Sequence, residues 1–261
     1  MYAEKREPPP PDADERLGRW ILGGVVLVAL AVGAWYWFKR EAAEPATVAE
    51  PPVATAEPAV RNPVETPADD ADGRSAVERI AALVGPERFA AMFIPESFVR
   101  NLVATVDNLP RAKIATRIIP AKPPAGEFVA VGGEGNLVLG AANYARYAPW
   151  ITLVDALDAD AAVDLYRRLY PELQTAYENL GNPDGYFNDR VIEVIDHLLE
   201  TPEPPDTIAL TRPNVLYEFA DPALEAQSAG RKLLLRMGPG NAARVKMKLR
   251  DIRDLIAVAQ Y

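Results

Sequence analysis

The sequence predicts a mainly α-helical domain with two short β-hairpins, tethered to one transmembrane helix. Three observations support this: an uncharged apolar run at 20–38, an acidic proline-rich stretch after it, and helical periodicity over much of the remainder. We divide the 261 residues into a disordered tail (1–19), a transmembrane helix (20–38), a disordered Ala/Pro-rich linker (39–74) and one folded domain (75–261).

The apolar run reads WILGGVVLVALAVGAWYWF and contains no charge. A bilayer core about 30 Å thick requires about 20 apolar helical residues, which this run supplies. Basic residues flank both sides and aromatic residues occupy both ends, as at lipid–water interfaces. The run is longer than a cleaved signal peptide and ends in bulky residues, so an uncleaved signal anchor is expected.

The basic residues around the run predict its orientation. Lys5, Arg6, Arg16 and Arg19 precede it, whereas after Lys39–Arg40 there is no basic residue before Arg61. Basic residues concentrate on the cytoplasmic side, which predicts a cytoplasmic N-terminus and a domain across the membrane. The absence of cysteine excludes disulfides, thiol nucleophiles and thiolate metal sites.

The segment after the anchor is the acidic part of the chain. Residues 41–73 carry a net charge of −7, against +1 for 1–40 and −3 for 74–261. Valine is the only strongly apolar residue type in the stretch EAAEPATVAEPPVATAEPAV, so it cannot bury enough surface to offset its ordering entropy. We therefore interpret 39–74 as a spacer that holds the domain away from the membrane.

Helices in the domain are predicted from apolar spacing and from cap residues. Ser75 with Glu78 forms a capping box, and Asp221 followed by Pro222 marks another start. Pro149 is expected to break one helix, and Pro171 to kink another or divide it in two. The predicted helices are 75–84, 96–109, 144–157, 158–180 (capped by Asp158 or Asp160), 190–200 (capped by Asn188 or Asp189), 222–237, and a last one through Ala259 capped by Asn241.

Two β-hairpins are predicted where the apolar period changes to that of strands. The first spans 127–140 around the turn Gly132–Gly133–Glu134–Gly135, and the second pairs 207–210 with 215–219. A phosphate-binding glycine loop is not favoured, because such a loop needs a following helix and a lysine.

Several motifs together resemble one bacterial family. They include NYARY at 143–147, YEFADP at 217–222 and KLLLRMGP at 232–239, with Leu180–Gly181 and Asn241. On these residues the chain resembles the domain-of-unknown-function 3014 family over about 75–260, and its anchor and acidic linker match the usual layout of that family. The resemblance implies a protein anchored in the bacterial envelope, hence in the inner membrane with a periplasmic domain. It implies no activity and no catalytic residues.

Residues that could carry chemistry are few. His197, the one histidine, shares a helix face with Glu193, but a catalytic metal site generally needs a third ligand; we expect an ordinary histidine. Ser75, Ser97 and Ser228 lie in no nucleophile motif. Paired carboxylates for cell-wall cleavage stay open, because their separation is spatial. We predict no catalytic residue, metal or cofactor.

Partner binding is the more concrete prediction. Tyr144, Arg146 and Tyr147 head a set of tyrosines and arginines, the residue types of binding hot spots, although tyrosine also packs at core edges. The last 31 residues carry a net charge of +6 and could dock an anionic partner, lipid headgroups or the acidic linker. From this region we nominate Arg231, Arg236, Arg244 and Lys248; a solvated helix face is the alternative.

The function predicted is that of a single-pass envelope protein whose domain is a non-catalytic protein-interaction or structural module. Its partners would be the membrane it spans and another envelope protein or a cell-wall component. Nucleic acid is not expected for a domain outside the cytoplasm. The alternative is an envelope enzyme acting on cell-wall material through acidic residues, which a deep pocket with close carboxylates would favour.

Overall fold

The computed structural model describes residues 60–67, 73–133 and 135–257. They form a mainly helical fold with a small four-stranded antiparallel sheet, so the predicted fold class is confirmed at that level. The elements in order are α1 (Ala76–Val84), α2 (Pro86–Met92), α3 (Phe98–Asn108), a 3-10 turn (Thr116–Ile118), β1 (Ala130–Val131), β2 (Leu137–Leu139), α4 (Ala142–Arg146), α5 (Ala148–Ala156), α6 (Ala159–Glu178), α7 (Phe187–Leu199), β3 (Ala209–Thr211), β4 (Glu218–Phe219), α8 (Pro222–Glu225), α9 (Ala229–Arg236) and α10 (Pro239–Ile256).

The helical core forms around α6. Asp158 caps this 20-residue helix by accepting a hydrogen bond from the N–H of Ala161. The helix continues through Pro171 without dividing. Leu169 and Leu173, on the predicted apolar face, are buried with Val103 of α3. Packing against α3, α7 and α10 offsets the hydrogen bond that Pro171 cannot donate.

Two local predictions at helix ends are confirmed. Ser75 and Glu78 form the capping box of α1, and Gly85, with φ of 94°, ends that helix. Pro149 lies in the first turn of α5 and separates it from α4. In both cases the local sequence alone determines the helix end.

Two other helix starts differ from prediction because polar side chains bind elsewhere. Asn188 and Asp189 do not cap α7: they lie in its first turn, after Tyr186 as N-cap. Asn241 lies inside α10, which begins at Pro239, and its amide donates to Tyr144 O and Met237 O.

The helix predicted over 222–237 is two helices. Ser228 breaks it, since its Oγ accepts the N–H of Arg231 at 3.2 Å and caps α9. The serine therefore competes with the backbone for a hydrogen bond, as serine does at N-caps.

The two predicted hairpins exist and join into one sheet. Strand β1 pairs with β2, β2 with β3, and β3 with β4, all antiparallel. The residues that pack around this sheet form a buried cluster of Leu139, Ile208, Leu210, Phe219, Leu224 and Leu235. At the β4 edge, the Glu225 carboxylate accepts the N–H of Phe219 at 2.9 Å, which removes one donor from the exposed edge.

Within residues 60–67, 73–133 and 135–257, no helix has both the length and the apolarity needed to cross a bilayer. The predicted tail (1–19), transmembrane helix (20–38) and the linker up to 59 lie outside the described residues. Residues 60–67, which the sequence analysis places in the linker, are described and contact the helical core.

Candidate functional site

The nominated residues Tyr144, Arg146 and Tyr147 are engaged inside the domain. The Arg146 guanidinium donates to three consecutive carbonyls of the loop before β1, those of residues 124–126, at 3.0 to 3.2 Å. The Tyr144 ring lies so close to Gly238 that a Cβ there would be 2.7 Å from it. Tyr147 is half-buried, and burial raises the pKa of its hydroxyl. The structure thus gives each a packing role; partner binding by them stays a prediction.

Two of the nominated basic residues pair with carboxylates of the domain. Arg231 donates to Glu200 at 2.7 Å and to the carbonyl of His197 at 2.8 Å. Arg244 donates from Nε to Asp155 at 3.0 Å. These pairs use guanidinium donors that an anionic partner would need.

Three further basic residues of the C-terminal region divide into two groups. Lys248 donates to Leu157 O at 2.6 Å, so its ammonium is held by the end of α5. Arg253 forms a two-bonded pair with Asp196. Arg236 differs, because its guanidinium lies over the Phe219 ring, 5.1 Å from the centroid.

His197 is held against Ser228, with 2.8 Å between its Nε2 and the serine Oγ. Burial lowers the pKa of the imidazole below 6.5, and Arg231 lowers it further. The sequence did not predict this pairing, which brings together the atom types of a nucleophile and its base. Ser228 is only 7% exposed and caps α9, so its hydroxyl is used in folding and is closed to a substrate.

Metal binding by Glu193 and His197 is not supported by their contacts. Glu193 is bound by Arg61 at 2.6 Å and by Arg190 at 3.4 Å. Among the residues that the structure describes, no group of three potential ligands is placed to hold a metal ion.

Two carboxylates of the described region, buried Asp107 and half-buried Glu225, are engaged in structural contacts. Asp107 accepts from Arg190 at 2.9 Å and from Arg111 at 3.3 Å. For Glu225, burial acts to raise the pKa, but hydrogen bonds from Lys232 and from the N–H of Phe219 outweigh it and lower the pKa. A general acid needs the opposite shift.

A polar cluster on α7 binds the chain segment that enters the domain from the N-terminal side. We call it the tether clamp: Tyr186, Asn188 and Asp189, with Arg61, Asn62 and Val64. Asp189 accepts the N–H groups of Arg61 and Asn62 at 3.0 and 2.9 Å, and Tyr186 accepts that of Val64 at 2.7 Å.

Asn188 is the centre of the tether clamp. Its amide nitrogen donates to Asn62 O at 2.9 Å and to Ile256 O at 3.1 Å. One side chain with 0% exposure thus joins the start of the described chain to the end of α10. Tyr166 donates to its Oδ1 at 2.9 Å, and burial raises the pKa of this phenol far above 10. Only neighbouring Asn and Asp in the sequence hinted at this cluster.

A second feature is exposed. We call it the hairpin patch: Phe128, Val215, Leu216 and Tyr217, with Arg212 and Arg236. Val215 and Leu216 are 77% and 75% exposed. The rings of Phe128 and Tyr217 lie 5.3 Å apart, beside a recess of about 300 Å³ whose wall includes Arg236.

The arginines of the hairpin patch are placed by aromatic rings. The Arg212 guanidinium lies 5.1 Å from the Tyr217 centroid, and its Nε donates to Val215 O. Neither Arg212 nor Arg236 forms a salt bridge with a carboxylate of the described chain. The sequence analysis places Val215–Leu216 in a strand and so misses this patch, because two adjacent apolar residues after Pro213–Asn214 also fit a strand buried on both faces.

Comparison with known proteins gives one match. The family model described as "Protein of unknown function (DUF3014)" matches residues 98–253. No curated protein and no solved structure matches the chain.

Proposed function

The chain belongs to the DUF3014 family, whose function is unknown, and we propose from its architecture that it is a single-pass membrane-anchored envelope protein with a non-catalytic binding domain. In this proposal the anchor lies in the bacterial inner membrane with its N-terminus in the cytoplasm. The domain lies in the periplasm and engages a component of the envelope.

The anchor part rests on residues 20–38. Their length, lack of charge, aromatic ends and basic flanks are those of a spanning helix. The tether clamp adds to this proposal, because it fixes the point at which the chain from such an anchor would enter the domain.

The observation that carries the binding part is the hairpin patch. Two adjacent aliphatic side chains about three-quarters exposed, beside two aromatic rings and two arginines, form an apolar surface of the kind that marks interaction sites. Aromatic and arginine side chains are also the residue types enriched at binding hot spots.

The contacts of the polar groups favour a non-catalytic domain. Ser228 is occupied as a cap and Asp107 by two arginines. The Tyr/Arg set nominated from sequence likewise packs the domain, as Arg146 does with three carbonyls. The hairpin patch is therefore a better mutational target than Tyr144, Arg146 and Tyr147.

The experiment is site-specific photo-crosslinking of the full chain in cells. A benzophenone amino acid replaces Leu216 in one variant and Met247, which is 56% exposed on α10, in the matched control. We expect the chain to remain in membranes after carbonate washing, and a discrete adduct, with protein or lipid, from position 216 only.

Two results would contradict the proposal. Release of the full chain by carbonate would rule out the proposed membrane anchor. Equal adducts from both positions, or none from position 216, would contradict the proposed binding role of the hairpin patch. Each result concerns a different half of the proposal, so the two can fail separately.

A further inference from the structure

We infer that the envelope component engaged by the hairpin patch is a lipid bilayer surface, that of the membrane holding the anchor. This inference rests on the proposed function and specifies its partner. It assigns membrane contact to the β3–β4 hairpin instead of the basic C-terminal helix, which the sequence suggested.

The first argument is that the segment between the predicted span and the domain is long enough to let the domain touch the bilayer. Residues 39–59 connect the predicted span to Val60, the first described residue. Fully extended at about 3.1 Å per residue, this connection measures about 65 Å. A domain of this size has a radius of gyration of about 16 Å, so every face of it can reach the bilayer. Tethering raises the effective concentration of the surface to the millimolar range, so weak contact suffices.

The shape and composition of the hairpin patch are the second argument. Val215 and Leu216 lie with Pro213 and Asn214 in the loop between β3 and β4, and most of their surface is exposed. Tyr217 is half-buried behind them. An aliphatic tip with a tyrosine beside it matches the division of a lipid interface into hydrocarbon and headgroup layers, where tyrosine concentrates.

The charges around the tip are the third argument. Arg212 and Arg236 are held over aromatic rings at the base of the tip, the depth at which guanidinium groups meet lipid phosphates. Glu127 and Glu218 adjoin the patch in sequence. Because these carboxylates, and Glu225 near Arg236, offset the arginine charges, insertion should depend mainly on apolar burial and only modestly on anionic lipid.

Helix α10 is the poorer candidate for this contact. Four of its five cations are bound within the domain: Arg244 by Asp155, Arg253 by Asp196, Lys246 by Thr201 O and Lys248 by Leu157 O. A lipid phosphate would have to compete with these partners for the same donors, whereas the arginines of the hairpin patch lie over aromatic rings.

The test uses the full chain reconstituted in vesicles, and it exploits the absence of cysteine. A polarity-sensitive fluorophore is attached to Leu216→Cys, and to Met247→Cys as the matched control. Lipids carrying a nitroxide below the headgroup quench only probes that enter the bilayer. We expect blue-shifted, nitroxide-quenched emission at position 216 and water-exposed emission at position 247.

A second variant tests the apolar contribution. Adding Val215→Ser to Leu216→Cys should lower the bilayer-bound to free ratio of the hairpin about tenfold, the loss expected for one buried aliphatic side chain. Vesicles of zwitterionic lipid alone should retain most of the quenching.

Three results would overturn the inference. They are a position-216 probe that stays in water, quenching at position 247 instead, or cellular crosslinks from position 216 to protein alone. Carbonate washing of the same vesicles tests the anchor independently. A retained chain with an unquenched hairpin would therefore contradict this inference and leave the anchor intact.

Discussion

At the scale of single residues, Asn188 shows how one buried amide can determine where a domain begins. It donates to Asn62 O and Ile256 O and accepts from Tyr166. A buried amide costs free energy unless its hydrogen bonds are made. Its full burial is therefore favourable only when the segment around Asn62 is in place.

Replacement of Asn188 by alanine should lower the free energy of unfolding by about 3 kcal/mol, because it removes the two buried hydrogen bonds that Asn188 donates to Asn62 O and Ile256 O. The measurement is urea unfolding of a fragment covering 56–261, which forms one compact unit. Asn182→Ala is the control. Asn182 is half-buried, and its one side-chain bond, to Tyr177 O, is 3.5 Å long; equal losses would contradict the role given to Asn188.

His197 should make the stability depend on pH. Burial, followed by the Arg231 charge, lowers its pKa below 6.5 in the folded state, so the unfolded chain binds the proton more tightly. The stability associated with a neutral His197 is therefore fully present above about pH 6.5. It is lost as the pH falls toward the lowered pKa of the folded state.

The measurement for His197 is the urea midpoint at pH 7.5 and pH 5.5. The native fragment should lose more stability between these values than a His197→Gln variant, which cannot titrate. The same loss in both proteins would show that other groups cause it.

At the scale of elements, residues 60–67 act as part of the helical domain. A fragment starting at Ser75 should be less stable than the 56–261 fragment by about 1–3 kcal/mol. It loses the five hydrogen bonds of the tether clamp that involve residues 61–64, each worth about 1 kcal/mol net. The loss of stability is partly offset because the segment no longer has to be ordered. Thermal unfolding of both fragments checks this.

Arg61→Ala in the longer fragment is the control for the tether segment. Its ion pair with Glu193 is exposed and should contribute little to the free energy of unfolding. If this substitution removed as much stability as the truncation, surface charge rather than the buried clamp would hold the segment.

The joint between α9 and α10 depends on Gly238. It has φ of 86°, and a Cβ there would lie 2.7 Å from the Tyr144 ring. Gly238→Ala should therefore cost about 2–4 kcal/mol through strain and overpacking. Gly240→Ala, where nothing lies within 4 Å, should instead stabilise the helix by about 0.5–1 kcal/mol. Paired unfolding curves would reveal any reversal of this order.

The elements that sequence predicted well are those determined locally. The Ser75–Glu78 box and the Pro149 break were predictable because both depend on residues within one or two turns. The pairing of β2 with β3 was not predictable, since it joins residues about 70 positions apart in the sequence. The local sequence suggests that Asn188 is a cap, because its partner Asn62 lies 126 positions away.

The same limit applies to the candidate site. Tyr144, Arg146 and Tyr147 have the composition of a binding surface, and only coordinates reveal that Arg146 donates to three carbonyls. Conversely, Val215 and Leu216 fit the pattern of a buried strand, and their exposure is a tertiary property. Composition predicted that the domain has binding-type residues but not which of them face solvent.

At the scale of the whole molecule, the proposed anchor and the hairpin patch are separate in sequence and should separate in experiment. Deleting residues 1–40 should move the chain from membrane to soluble fractions and leave its urea midpoint unchanged, because residues 56–261 form a compact unit of their own. The double variant Val215→Ser, Leu216→Ser should instead stay in membranes after carbonate washing. It should lose the contact between the hairpin patch and the bilayer.

The double serine variant should also keep its stability within about 0.5 kcal/mol, since exposed side chains contribute little to folding. Fractionation and urea unfolding of both proteins give four readouts. A double serine variant that unfolds early would mean that Val215 and Leu216 pack the domain. A truncated chain that still pellets with membranes would mean that the domain binds lipid without its anchor, at an affinity beyond what the hairpin patch should provide.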